Sequence, residues 1–160
     1  MRSAPENKLS RSAIKAWRIS TLLFMLFLFL IPAVLWVDHL FGGGLSLWMI
    51  GTITFLLVIL TGLAIFFIPE IRWRRWAYQV DEHEVDLQSG IIITTRTLVP
   101  IKRVQHVDTR QGPILRSYNL ADVTISTAAT THRIPALNEE TADLMRDRIS
   151  KFARLAKEDV

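Results

Sequence analysis

The run ISTLLFMLFLFLIPAVLWV (Ile19–Val37), the connection DHLFGGG (Asp38–Gly44) and the run LSLWMIGTITFLLVILTGLAIFFI (Leu45–Ile68) decide the architecture. The first run holds nineteen residues without a charge. At about 1.5 Å per residue it makes a helix of about 28 Å, close to the hydrocarbon thickness of a bilayer. The second holds twenty-four uncharged residues, enough to span with some tilt. A connection this short, with three glycines to turn on, forces an antiparallel hairpin. The glycines lack a following Lys-Ser/Thr, so they read as a turn and not as a phosphate loop. Neither run contains Asp, Glu, Lys, Arg or His, the groups that ion pathways and proton relays need at membrane depth. The pair is therefore an anchor and not a pore. Ser20, Thr21, Thr52, Thr54 and Thr61 are expected to bond back to their own helix backbones.

The flanks set the orientation. Arg2, Lys8, Arg11, Lys15 and Arg18 precede the first run, Arg72, Arg74 and Arg75 follow the second, and the connection has no Lys or Arg. The positive-inside rule then puts both termini in the cytoplasm, beneath a membrane that the chain crosses twice. All five tryptophans, Trp17, Trp36, Trp48, Trp73 and Trp76, fall at or just beyond an end of a run, where an amphipathic indole anchors at the bilayer interface. A cleaved signal peptide is the competing reading of residues 1–37. The long apolar run, the second run behind it and the lack of a small-x-small site before the connection disfavour it.

The 160 residues carry a net charge of +4 and no cysteine. Disulfide frameworks, thiolate metal sites and a cysteine nucleophile are thereby excluded. The charge is segregated: +4 over residues 1–18, −1 over 19–68, +2 over 69–76 and −1 over 77–160. A nucleic-acid footprint would need a basic face on the folded domain itself, so the surplus is a topology signal and nucleic acid is not an expected partner. The organisation that follows is a basic N-terminal segment (1–18), a transmembrane hairpin (19–68), a basic juxtamembrane linker (69–76) and a soluble domain (77–160).

In that domain the pattern changes to short alternating runs. Tyr78 and Val80, then Val85 and Leu87, flank the acidic turn Asp81-Glu82-His83-Glu84 and predict a hairpin. Ile91–Ile101, Val104–Thr109, Ala121–Ala128 and His132–Ile134 read as further strands, with Pro100 at a strand end and Pro135 closing the last. Gln111-Gly112-Pro113 opens a helical turn that Asn119 closes in the left-handed region. Asn138 caps a final helix over 138–157, where Ala142, Met145, Ile149, Phe152 and Ala156 form one apolar stripe. Acidic residues early and basic residues late complement its dipole. The expected fold is a two-helix transmembrane hairpin followed by a mainly-β barrel or sandwich capped by a C-terminal α-helix.

Residues 78–128 resemble the bacterial pleckstrin-homology-like family (bPH2, formerly DUF304), in the YdbS-like arrangement of two spans before one such domain. The resemblance rests on Tyr78, Gly90, Arg96, Val99-Pro100, Arg103-Val104-Gln105 with Val107, Gln111-Gly112, Leu115-Arg116, Leu120 and the run Val123–Ala128. Asn119 stands where the family commonly has glycine. The resemblance implies a partly open barrel of two packed sheets capped by a helix, and a binding or scaffolding module with no assigned catalytic residue and no cofactor. Eukaryotic relatives bind phosphoinositides at the first turn, but here that turn is acidic and would repel phosphate.

Among the remaining constellations, Arg96, Lys102, Arg103, Arg110 and Arg116 could meet anionic headgroups or a partner if they shared a face, against the plainer reading of scattered solvated charges. His83, His106 and His132 lack metal-ligand spacing. Asp81, Glu82, Glu84 and Asp86 read as a solubilising turn and not as acid/base carboxylates. Ser126, His132 and Asp122 form no nucleophile elbow. The expectation is a non-enzymatic, membrane-anchored module for protein-protein assembly. Its partners are the bilayer and other membrane proteins, among them relatives with several such domains, or a second copy through a strand edge. Headgroup binding or envelope-stress sensing through a basic face is the alternative.

Overall fold

The computed structural model describes residues 5–158, which form two compact units: residues 5–16 with 71–158, and residues 17–70. Arg2, counted in the basic N-terminal segment, lies outside the described residues.

In the hairpin unit, α1 (Ser12–Leu28) and α2 (Leu30–Leu40) are separated by a break at Phe29, and α3 runs Leu47–Arg75. Pro32 has no N–H to give to the Leu28 carbonyl, so the ladder loses a bond where α1 ends. The apolar side chains point outward: Phe24, Phe27, Val34, Phe55 and Phe66 are all more than half exposed. A surface of that character is stable against lipid and not against water. Hydroxyls are satisfied locally, with Thr52, Thr54 and Thr61 donating to the carbonyls of Trp48, Ile50 and Leu57 at 2.7–2.8 Å. Trp36 Nε1 donates to the Thr54 hydroxyl at 3.3 Å, a link between α2 and α3. Two glycines make the turn. Gly42 has φ +91°, and a Cβ on Gly43 would lie 1.9 Å from Asp38 Oδ2. The helices outrun the apolar runs that announced them: α1 begins at Ser12, and α3 continues through Pro69 to Arg75, so the expected linker is helical over most of its length.

The second unit contains two antiparallel three-stranded sheets, β1 (Ala77–Val80), β2 (Glu84–Ser89), β3 (Thr95–Pro100) and β4 (Val104–Arg110), β5 (Leu120–Thr127), β6 (Thr131–Asn138). A 3-10 turn (Ile101–Arg103) joins the sheets, α4 (Pro113–Ser117) lies between β4 and β5, and α5 (Glu139–Glu158) packs on the turn, β4, β5 and β6. This is the expected pleckstrin-homology-like sandwich with its capping helix. Of the expected α5 stripe, Ala142, Met145 and Ile149 are buried and Phe152 and Ala156 half-buried, and Ala153, outside the stripe, is buried with them.

Three departures from the sequence pattern have physical causes. Residues 91–94 leave the ladder, because Gly90 turns the chain at φ +140° and brings its own Cβ position to 1.9 Å from the Ile93 carbonyl oxygen. Strand β6 continues through Pro135 to Asn138, because a bulge sets Pro135 and Ala136 together opposite Asp122. There Ala136 takes φ 52°, as Asn119 does at its own turn, and its N–H donates to Asp122 Oδ1 at 2.8 Å. Asp122 also pairs with Arg133, so a buried carboxylate fastens the bulge that the proline requires. Finally β5 is buried on both faces from Leu120 to Ile125, where alternation had suggested one wet face.

The N-terminal segment is part of this unit. Asn7 and Tyr78 exchange both backbone hydrogen bonds, at 3.1 and 3.0 Å. Trp73 Nε1 donates to the Leu9 carbonyl at 2.9 Å, and Arg11 lies over the Trp73 ring. Leu9 and Ala13 are buried. Leu9→Ala is expected to cost about 2–4 kcal/mol, read as a fall of the order of 10 °C in the thermal midpoint of the full chain in detergent. Asp122→Ala leaves the Ala136 N–H unpaired and is expected to cost about 2 kcal/mol in the same measurement.

Candidate interaction surface at the β3–β4 corner

Pro100 ends β3, and the next three residues wind into the 3-10 turn that redirects the chain into the second sheet. Ile101 is fully buried and its N–H donates to the His83 carbonyl at 2.9 Å, which fixes the turn against the start of β2. Its neighbours Lys102 and Arg103 therefore project outward, side by side and exposed. Two open grooves meet at this pair. One, of about 730 Å³, runs to Phe152 and Leu155 at the end of α5 and includes Glu82 and His83. The other, of about 610 Å³, runs between Leu98 and the β5–β6 turn at Ala128–Thr130. Apolar walls beside paired cations suit a mixed polar and apolar surface of a partner.

The five basic residues that could meet headgroups or a partner if they shared a face lie on four different elements. Arg96 lies on β3 of the first sheet, its Nε 3.0 Å from both oxygens of the buried Asp86 carboxylate. That bond holds the guanidinium even more firmly protonated than usual and engages it in the fold. Arg110 and Arg116 sit at the far end of β4 and in α4, both exposed. Six strand steps separate Arg110 from Val104, about 20 Å. Lys102 and Arg103 are thus the only members of the set that adjoin each other in one turn.

The acidic β1–β2 turn is closed by the Asp81 N–H on the Glu84 carbonyl at 3.0 Å. Arg148 of α5 lines the same shallow surface and stacks on Phe152 at 5.5 Å. His132 and Ile125 face each other across the β5–β6 ladder, so His132 and Ser126 point to opposite faces and cannot act as a nucleophile and its base. His132 Nε2 instead meets the Thr130 hydroxyl at 2.9 Å. Among the described residues no group of three or more His, Asp or Glu side chains could hold a metal ion.

The tryptophans divide. Trp36 and Trp48 are exposed, at 41% and 87%, and Trp17 is half-buried. Trp76 is 7% exposed, a core residue of the sheet unit with little surface left for headgroups, and Trp73 spends its indole N–H on Leu9. Position beside an apolar run did not separate Trp73 and Trp76, which belong to the sheet unit, from the three tryptophans of the hairpin unit. The buried Asp122 had a readable signal, a single carboxylate inside the largely apolar β5, whereas Asp86, two residues from Glu84 in β2 and buried rather than part of a solubilising turn, and the Asn7–Tyr78 pairing had none.

Comparison with known proteins agrees with this architecture. The family described as bacterial PH domain matches residues 19–153. The UPF0699 transmembrane protein YdbS of Bacillus subtilis (strain 168) is 43% identical over the whole of both chains. The UPF0699 transmembrane protein YdbT of the same organism is 25% identical over 85 residues, which cover 51% of this chain and 17% of YdbT. No solved structure matches. A pair of long apolar helices joined to this two-sheet domain, with that match along the chain, makes the protein a membrane protein of the bacterial PH domain family, similar throughout to YdbS.

Proposed function

We propose that the chain is a non-enzymatic scaffold that crosses the bacterial inner membrane twice and presents its PH-like domain in the cytoplasm for assembly with other membrane proteins. The observation that carries the assembly reading is the β3–β4 corner, where Lys102 and Arg103 stand between two grooves with apolar walls. Anchoring limits the search for a partner to the membrane plane and raises effective concentration. The class of partner this suits best is a longer membrane protein of the same family. The match to YdbT occupies only 17% of that chain, which leaves length there for further units of this kind. A second copy binding through a strand edge is the homo-oligomeric form of the same idea.

Two crossings are supported by the pairing of Asn7 with Tyr78. Residues before and after the hairpin hydrogen-bond to each other, which favours both ends on one side, and the basic flanks favour the cytoplasmic side. The headgroup-binding alternative is left with Lys102 and Arg103 as adjoining cations, worth about 1 kcal/mol each at an anionic surface.

The cysteine-free chain permits a direct topology test. In intact cells stripped of the outer membrane, an impermeant thiol reagent should label Gly44→Cys, whose Cβ has open space, and should label Glu82→Cys only after permeabilisation. Partnership is tested by a photo-crosslinking residue at the exposed Gln105 in growing cells. A discrete adduct with a larger membrane protein, weakened at least about tenfold by Lys102→Glu with Arg103→Glu, is the expected result. Liposome flotation driven by anionic lipid with no protein adduct would favour the headgroup reading.

A further inference from the structure

The β2–β3 connection exposes three consecutive isoleucines: Ile91, Ile92 and Ile93 are 39%, 89% and 79% accessible. The other large apolar side chains exposed among the described residues of 77–158 are single ones, Leu98, Leu144 and Leu155. Three bare isoleucines in a row are costly in water and need a cover. The turn is built to display them. Gly90 at φ +140° approaches the Ile93 carbonyl too closely for any Cβ, and the Ile92 carbonyl accepts a hydrogen bond from Arg75 Nη1 at 3.0 Å. Arg75 is the last residue of α3, seven positions after Ile68, where the apolar run ends. Along a helix that is about 10 Å, just beyond a headgroup layer of about 5–8 Å. Arg72, Arg74 and Arg75 in the last turn of α3 supply positive charge at the same level.

We propose that Ile91–Ile93 is a second membrane contact, in which the isoleucine side chains enter the interfacial layer of the leaflet from which α3 emerges. The occupant is lipid: acyl-chain ends for the isoleucines and phosphates for the arginines. The contact gives the domain a lipid-facing side in addition to the two helices, α1 and α3, that join it to the hairpin. It goes beyond the assembly reading and rests only on α3 being a membrane helix.

The test uses the full chain in vesicles of phosphatidylcholine with a minority of phosphatidylglycerol. Ile92→Cys provides the single thiol for an environment-sensitive fluorophore, and Ala129→Cys in the β5–β6 turn provides a water-exposed reference. The Ile92 label should be quenched by nitroxide-bearing lipid and should resist aqueous iodide at least about threefold better than the Ala129 label. Replacing the neighbours, Ile91→Ser with Ile93→Ser, should restore iodide access, which shows that the loop and not the dye makes the contact. Equal iodide quenching at both positions overturns the proposal. So does shielding from iodide without quenching from lipid, which would assign the loop to a protein surface, and so does shielding that survives the serine variant.

Discussion

A four-part clasp between the N-terminal segment and the start of the sheet domain underlies the structure: the Asn7–Tyr78 backbone pair, the Trp73 indole on the Leu9 carbonyl, Arg11 over Trp73, and Lys8 on the Arg74 carbonyl at 3.1 Å. Each interaction is modest alone, since an exposed polar contact contributes about 1 kcal/mol. Together they tie the chain ahead of the hairpin to the chain behind it. Two apolar helices that leave from and return to one clasped unit fit the proposed pair of crossings. The clasp also pairs Tyr78 on the β1 edge, which would otherwise offer those backbone groups to other strands.

The domain's second dependence is on buried carboxylates. Asp86 in β2 and Asp122 in β5 lie in the central strands of their sheets. Each engages an arginine from the neighbouring strand, Arg96 and Arg133. A carboxylate in such a place is tolerated only when paired. Asp122 does more, because the N–H of Ala136 also needs it, and without that bond the proline in β6 would interrupt the strand. The same economy limits the functional surface. An arginine committed to the fold, as Arg96 is, has little left for a ligand, and basic residues divided between the two ends of a strand cannot grip one headgroup.

What could be read from the sequence follows from which interactions are periodic. The hairpin was legible because nineteen and twenty-four uncharged residues admit few other readings. The α5 stripe and the left-handed Asn119 were legible for the same local reasons. The break at Phe29 had a local signal in Pro32, whereas the strand through Pro135 and the unpaired Ile91–Ile93 had none, because the first depends on a partner distant in sequence and the second on a positive-φ turn that composition alone does not locate. The candidate surface was legible in part: Lys102 and Arg103 were named, but their separation from Arg110 and Arg116 and the capture of Arg96 by Asp86 are tertiary facts. Trp76 shows the limit of the interfacial-tryptophan rule, since its place after an apolar run was right for an anchor and its burial makes it core.

The clasp is tested most directly by amide hydrogen exchange at Asn7 and Tyr78 in the full chain embedded in lipid nanodiscs. The account predicts that both amides exchange slowly and that they open together, with protection comparable to that of the β1–β2 ladder beside them. Exchange of both amides at the rate of an unstructured chain, with the rest of β1 still protected, would contradict it.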